Sequence, residues 1–117
     1  IKWSLLASSA GTGEFLDDEN FEIIEVGEDV PEEADFGLAL NGDSMEPRYH
    51  DKQAVWVQKT DTLSSGEIGI FYLDGMTYCK QLKQDKDGLF LISLNSKYEP
   101  IKVNADSTFK VFGRVLN

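Results

Sequence analysis

From Phe21 onward the chain is a succession of short apolar runs, each closed by turn-forming residues. The runs are Phe21–Val26, Phe36–Leu40, Ala54–Gln58, Ile68–Leu73, Met76–Leu82, Leu89–Leu94 and Thr108–Leu116. Val, Ile, Phe and Tyr recur in them, the residues that fit a pleated, half-buried surface. Asp74-Gly75 between two of the runs is a strong hairpin signal, because both residue types tolerate positive φ. Asp87-Gly88 marks a second tight turn. Only Met45–His50 hints at helix. Seven short strands at close spacing, without a long amphipathic helix, predict a mostly-β, barrel-like or sandwich fold. Residues 1–20 have no sustained periodicity. They pass through Ser8, Ser9, Ala10, Gly11, Thr12 and Gly13 into an acidic patch, the signature of an extended arm or loop. The expected division is an arm over 1–20 and a folded domain over 21–117.

Composition narrows the class. A chain of 117 residues is one domain's worth, and a globule of that size hides about two thirds of its unfolded surface. Hydrophobic residues at 41% and aromatics at 11% supply a core and argue against disorder. No apolar run approaches the roughly 18 residues of a membrane span, and no secretion signal is visible, so no membrane partner is expected. The opening Ile1 suggests a piece of a longer protein. The net charge of −10, without a Lys/Arg cluster, argues against this segment gripping phosphates itself. About half of the 21 carboxylates lie between Glu14 and Asp35 and read as a solvated acidic face. Cys79 is the only cysteine, which excludes an internal disulfide and suits a reducing cytoplasm. With His50 the only histidine, and on an expected surface loop, neither a metal nor another cofactor is expected.

One strand carries an anomaly. Side chains alternate between faces, so Met76, Tyr78 and Leu82 share a face with Lys80, while Thr77, Cys79, Gln81 and Lys83 take the other. If the apolar face is the inner one, Lys80 points inward. A buried, unpaired ammonium tends to shed its proton, and a neutral lysine amine is a usable general base near pH 7. Three ordinary placements fit as well: Lys80 can snorkel to the rim, pair with a carboxylate, or lie on an edge strand of reversed polarity.

Leu40-Asn41-Gly42-Asp43-Ser44-Met45-Glu46-Pro47 ends another strand abruptly. Gly42 permits a backbone geometry that other residues resist, and Pro47 cannot continue strand pairing. Ser44 is thereby placed on an exposed turn beside free N–H groups, the ingredients of a nucleophile and an oxyanion hole. The same residues also make an ordinary turn.

Taken together, the motifs resemble the LexA-like serine peptidases, the C-terminal peptidase family of phage and bacterial repressors with a Ser-Lys dyad and a signal-peptidase-like fold. Gly42-Asp43-Ser44-Met45-Glu46-Pro47 is similar to that family's nucleophile motif. The strand through Cys79-Lys80-Gln81-Leu82 is similar to the one bearing its lysine base, 36 residues after Ser44. Leu91 to Ile101 and the closing Phe112-Gly113-Arg114-Val115 resemble the segments that follow. The likeness runs from about Ala7 to the C-terminus. Ala10-Gly11 stands 34 residues before Ser44, where family members carry the bond they cut in themselves. As local sequence, Ser9 to Gly13 is simply a flexible loop.

The resemblance implies a mechanism and partners. Neutral Lys80 takes the Ser44 proton, Ser44 attacks the Ala10 carbonyl, and the backbone N–H groups of Ser44 and Met45 hold the oxyanion. Lys80 then protonates the Gly11 amine, and water frees the acyl-enzyme. The implied biology is a phage, prophage or SOS-type repressor that forms a homodimer, with Thr108–Leu116 as the guessed contact. It would meet operator DNA through an N-terminal domain outside this segment and be triggered by a RecA filament or an antirepressor. The competing expectations are a non-cleaving dimerisation or antirepressor-binding module and an UmuD-like polymerase accessory protein. A type I signal peptidase shares the dyad but needs a membrane anchor.

Overall fold

The computed structural model describes residues 2–4, 21–25 and 27–117. The chain is mostly β, as the alternating runs require. Among the described residues nine strands form one sheet: β1 (Lys2–Ser4), β2 (Phe21–Ile23), β3 (Phe36–Ala39), β4 (Ala54–Lys59), β5 (Ile68–Leu73), β6 (Met76–Asp85), β7 (Gly88–Ile92), β8 (Ile101–Val103) and β9 (Phe109–Val115). Their order across the sheet is β2-β1-β3-β4-β9-β5-β6-β7-β8. All neighbouring pairs are antiparallel except β1 and β3, which run parallel.

The sheet buries apolar residues on both faces. Ile68 and Ile70 join Phe36, Leu38, Val55 and Val57 in one core cluster. Phe71 and Leu73, pointing the other way from the same strand, join Leu82 and Leu91 in a second. A β-bulge lets β9 serve both clusters. Ile70 pairs with Gly113 but Phe71 with Val111, so Phe112 is the extra residue on β9. Phe109 and Val111 therefore pack in the second cluster, whereas Phe112 and Val115 pack in the first. Gly113 leaves no room for a side chain: a Cβ there would lie 2.4 Å from Val57 Cγ1 and 2.5 Å from the Gln58 carbonyl oxygen. The β5–β6 hairpin turns at Asp74 (φ 46°) and Gly75 (φ 97°), both left-handed as a two-residue primed turn demands.

Four expectations change. The leading segment, expected as an extended arm or loop, contributes β1, which pairs with both β2 and β3. Ile101–Val103 adds an edge strand that a three-residue run could not announce. Met45–His50 forms turns, with one i→i+4 bond, from the Tyr49 N–H to the Met45 carbonyl at 3.0 Å. On β6 the face opposite Lys80 is not the outer one: Thr77 and Cys79 are buried there, while Met76, on the supposed inner face, is exposed. The guessed dimer strand, β9, lies between β4 and β5, pairing with β5 over Phe109–Arg114 but with β4 only over Gly113–Val115. Among the described residues no helix is long and apolar enough to cross a membrane.

Candidate active site

β3 delivers the serine turn and β6 delivers the lysine. After Ala39 the chain is held by paired bonds to the start of β4: Leu40 N–H to Gln53 and Lys52 N–H to the Leu40 carbonyl, at 2.9 and 3.0 Å. Gly42 then takes φ 94°, where a Cβ would be strained, and its N–H donates to Asp51 Oδ1 at 2.8 Å. Met45 sends its side chain into the first core cluster, 3% exposed, which anchors the turn from below. Ser44, between these fixed points, is half-buried.

The segment after β7 clamps the same turn. Asn95 N–H donates to the Ser44 carbonyl at 2.9 Å, and Asn95 Nδ2 donates to the Asp43 carbonyl at 3.1 Å. Lys97 Nζ meets Asp43 Oδ2 at 2.7 Å, and the Tyr98 hydroxyl donates to Asp43 Oδ1. The hydrogen bonds from Lys97 and Tyr98 hold the Asp43 carboxyl below its usual range, and the same carboxylate pushes Lys97 and Tyr98 up. This charge is spent locally on the clamp. The N–H groups of Ser44 and Met45 have no acceptor among the described residues.

Lys80 is 6% exposed, and its amine lies 3.0 Å from Ser44 Oγ and 2.8 Å from Ser93 Oγ. No carboxylate pairs with it among the described residues. Burial lowers its pKa. The rings of Tyr78 and Tyr98 stand 5.6 and 5.9 Å from the amine, an arrangement that favours the charged form. Desolvation is the largest influence on the amine, and the net direction is downward. The neighbouring Cys79 thiol is pushed up to about 12 by burial and stays protonated and inert at neutral pH.

Two depressions flank the pair. A small one is floored by Leu40, Met45 and Cys79, and a wider one is walled by Tyr78, Tyr98 and Ile101. A hydroxyl, an amine whose pKa is lowered by burial, and two N–H groups without an acceptor among the described residues are the ingredients of acyl transfer. His50 lies apart, exposed and 3.0 Å from Glu46, and among the described residues no three His, Cys, Asp or Glu side chains converge as metal ligands would.

The residues singled out from sequence thus fall into two groups. Ser44, Met45 and Lys80 come together, whereas Ala10 and Gly11 lie outside the described residues. Sequence reasoning missed Ser93 and the Asn95, Lys97 and Tyr98 clamp. The Leu91 to Ile101 stretch that contains them resembles a family segment, but no residue in it was given a role.

Known proteins are similar to this chain in sequence. The chain is 36% identical over 89 residues to a LexA repressor of Carboxydothermus hydrogenoformans, covering 74% of this chain and 43% of that protein. It is 39% identical over 70 residues to the LexA repressor of Alcanivorax borkumensis, covering 59% and 34%. It is 35% identical over 80 residues to LexA repressor 2 of Pseudomonas syringae pv. tomato, covering 68% and 40%. The chain therefore spans about two fifths of the length of these relatives. The model of one family, described as Peptidase S24-like, matches residues 4–116, nearly the whole chain and all of the cleft just described, and the chain belongs to that family.

Proposed function

We propose that this chain is the self-cleaving, self-associating domain of a transcriptional repressor, with Ser44 as nucleophile and Lys80 as general base. The observation that carries the reading is a buried lysine amine, without a carboxylate partner among the described residues, 3.0 Å from a turn serine hydroxyl. Neutral Lys80 accepts the Ser44 proton as Oγ bonds to the carbonyl carbon of Ala10, and the N–H groups of Ser44 and Met45 receive the oxyanion. The C–N bond to Gly11 then breaks, Lys80 returns its proton to the leaving amine, and a water repeats the sequence to free the Ala10 carboxylate.

The sheet supports cutting in cis. β1 runs parallel to β3, in register Lys2 with Phe36 and Trp3 with Gly37. The chain therefore leaves β1 at the end of the sheet where β3 delivers Ser44, and antiparallel β2 re-enters from that end. Ala10 is six residues past Ser4, a reach of at most about 20 Å.

The relatives' name, LexA repressor, supports the wider role. An acidic domain leaves operator reading to residues outside this segment and contributes by pairing two such readers, so that scission removes the gain of bivalent binding. A RecA filament or an antirepressor would act by favouring the cleavable pose of the arm.

Alkaline incubation of the purified chain, read by mass, tests this directly. Fragments 1–10 and 11–117 are expected from the wild type and none from Ser44→Ala. A cut elsewhere, or equal cutting without the serine hydroxyl, overturns the assignment. Ser93 has a subordinate role: its hydroxyl holds the amine in one rotamer, aimed at Ser44. Ser93→Ala is expected to slow self-cleavage about tenfold, the cost of a lost hydrogen bond of about 1 kcal/mol or slightly more. Ser93→Thr should retain most of the rate in the same assay.

A further inference from the structure

The face of the sheet opposite the first core cluster carries a lock that the chemistry above does not use. Phe36 and Leu38 point into that cluster, as do Val55 and Val57, so Gly37 and Trp56 face the other way. Trp3, paired with Gly37, joins them there. The two indoles lie 5.6 Å apart at 60° and close over the glycine between them. Gly37 is bare for their sake: a Cβ would sit 2.3 Å from Trp56 Cζ3 and 3.0 Å from Trp3 Cε3. Tilted aromatic pairs across strands of this kind are stabilising beyond the area they bury. Trp56 is itself fixed by the last two residues, its backbone N–H donating to Asn117 Oδ1 at 2.9 Å and its carbonyl accepting from the Leu116 N–H at 2.9 Å.

We propose that Trp3, seated across Gly37 against Trp56, is a positioning residue that anchors the upstream end of the cleavage segment at the Ser44 end of the sheet and so sets the rate of self-cleavage. This rests on the reading of the chain as self-cleaving. β1 is three residues long, too short to hold its place by backbone pairing alone. Among the described residues β2 has β1 as its sole neighbour in the sheet, so loosening β1 loosens both ends of the segment. The nearest strand that does not depend on β1 is β3. Without the lock, the tether fixing Ala10 lengthens from six residues (to Ser4) to 26 (to Phe36). Effective concentration falls with roughly the three-halves power of tether length, which makes the loss about tenfold.

The test measures first-order self-cleavage of the full chain against pH for wild type, Trp3→Ala and Trp3→Phe, with far-UV circular dichroism to confirm the fold. Trp3→Ala is expected to lower the alkaline plateau about tenfold with an unchanged pH midpoint, because the dyad is untouched, and Trp3→Phe to recover most of the rate. A wild-type rate in Trp3→Ala overturns the proposal. So does a midpoint that moves with the plateau, which would mark a disturbed dyad rather than a misplaced substrate. In either case Ser44-dependent cutting by the wild type would leave the peptidase reading standing. A wild type that never cuts, or cuts without Ser44, sinks both.

Discussion

Lys80→Met is expected to stop self-cleavage, with a loss on the order of a thousandfold, while the domain stays folded. General-base catalysis contributes about 10²–10⁴, and among the described residues no other basic group reaches Ser44 Oγ. Methionine fills the volume of the lysine stem and removes the cost of holding an amine in a site that is 6% exposed. Against that gain stand two hydrogen bonds, to Ser44 and Ser93, of about 1 kcal/mol each. Stability should therefore hold to within about 2 kcal/mol. Thermal melts alongside fragment analysis separate the outcomes. A stable variant that still cuts would remove the lysine from the mechanism.

The second large effect is on pH. Self-cleavage is expected to rise about tenfold per pH unit on its acid limb and to level off above the folded pKa of Lys80. Below that pKa the amine already holds a proton and cannot take another. Burial places the pKa beneath the ordinary lysine value, so the plateau arrives earlier than an exposed lysine would allow. Stability should follow in the same direction. Between the lowered folded pKa and the ordinary value the unfolded chain binds the extra proton, so unfolding becomes harder as pH rises through that window. Cys79 acts oppositely above about pH 9, where the unfolded thiol ionises and the buried one, at about 12, does not. Denaturant titrations below pH 9 isolate the lysine contribution. A flat or falling rate profile would mean that proton removal by Lys80 does not limit the reaction.

What the sequence made legible was local. Alternation placed Lys80 among apolar neighbours, turn chemistry exposed Ser44, and Asp74-Gly75 announced its hairpin because positive φ at both positions is a property of those two residues. Pairing Ser44 with Lys80 took the family resemblance as well. Features that depend on distant partners stayed hidden. Ser93 becomes a lysine partner only because β6 and β7 pair so that Gln81 faces Ile92. The Asn95 clamp spans 52 residues, and no spacing rule connects them. Alternation also shows that two faces differ without showing whether both are covered, which is why Thr77 and Cys79 were read as outward. Three-residue strands such as β1 and β8 carry no period at all.

The placement of β1 inside the sheet order gives scission a second outcome. If the severed N-terminal piece departs with its strand, β2 loses its neighbour and the margin of the sheet retreats to β3. The newly bare backbone of β3 would then be a raw hem, the kind of margin that recruits a stray strand or invites aggregation. On the proposed reading, persistence of the cut product in solution would depend on how soon that hem is covered, and the tryptophan proposed to seat the piece before the reaction would set how long it lingers afterwards.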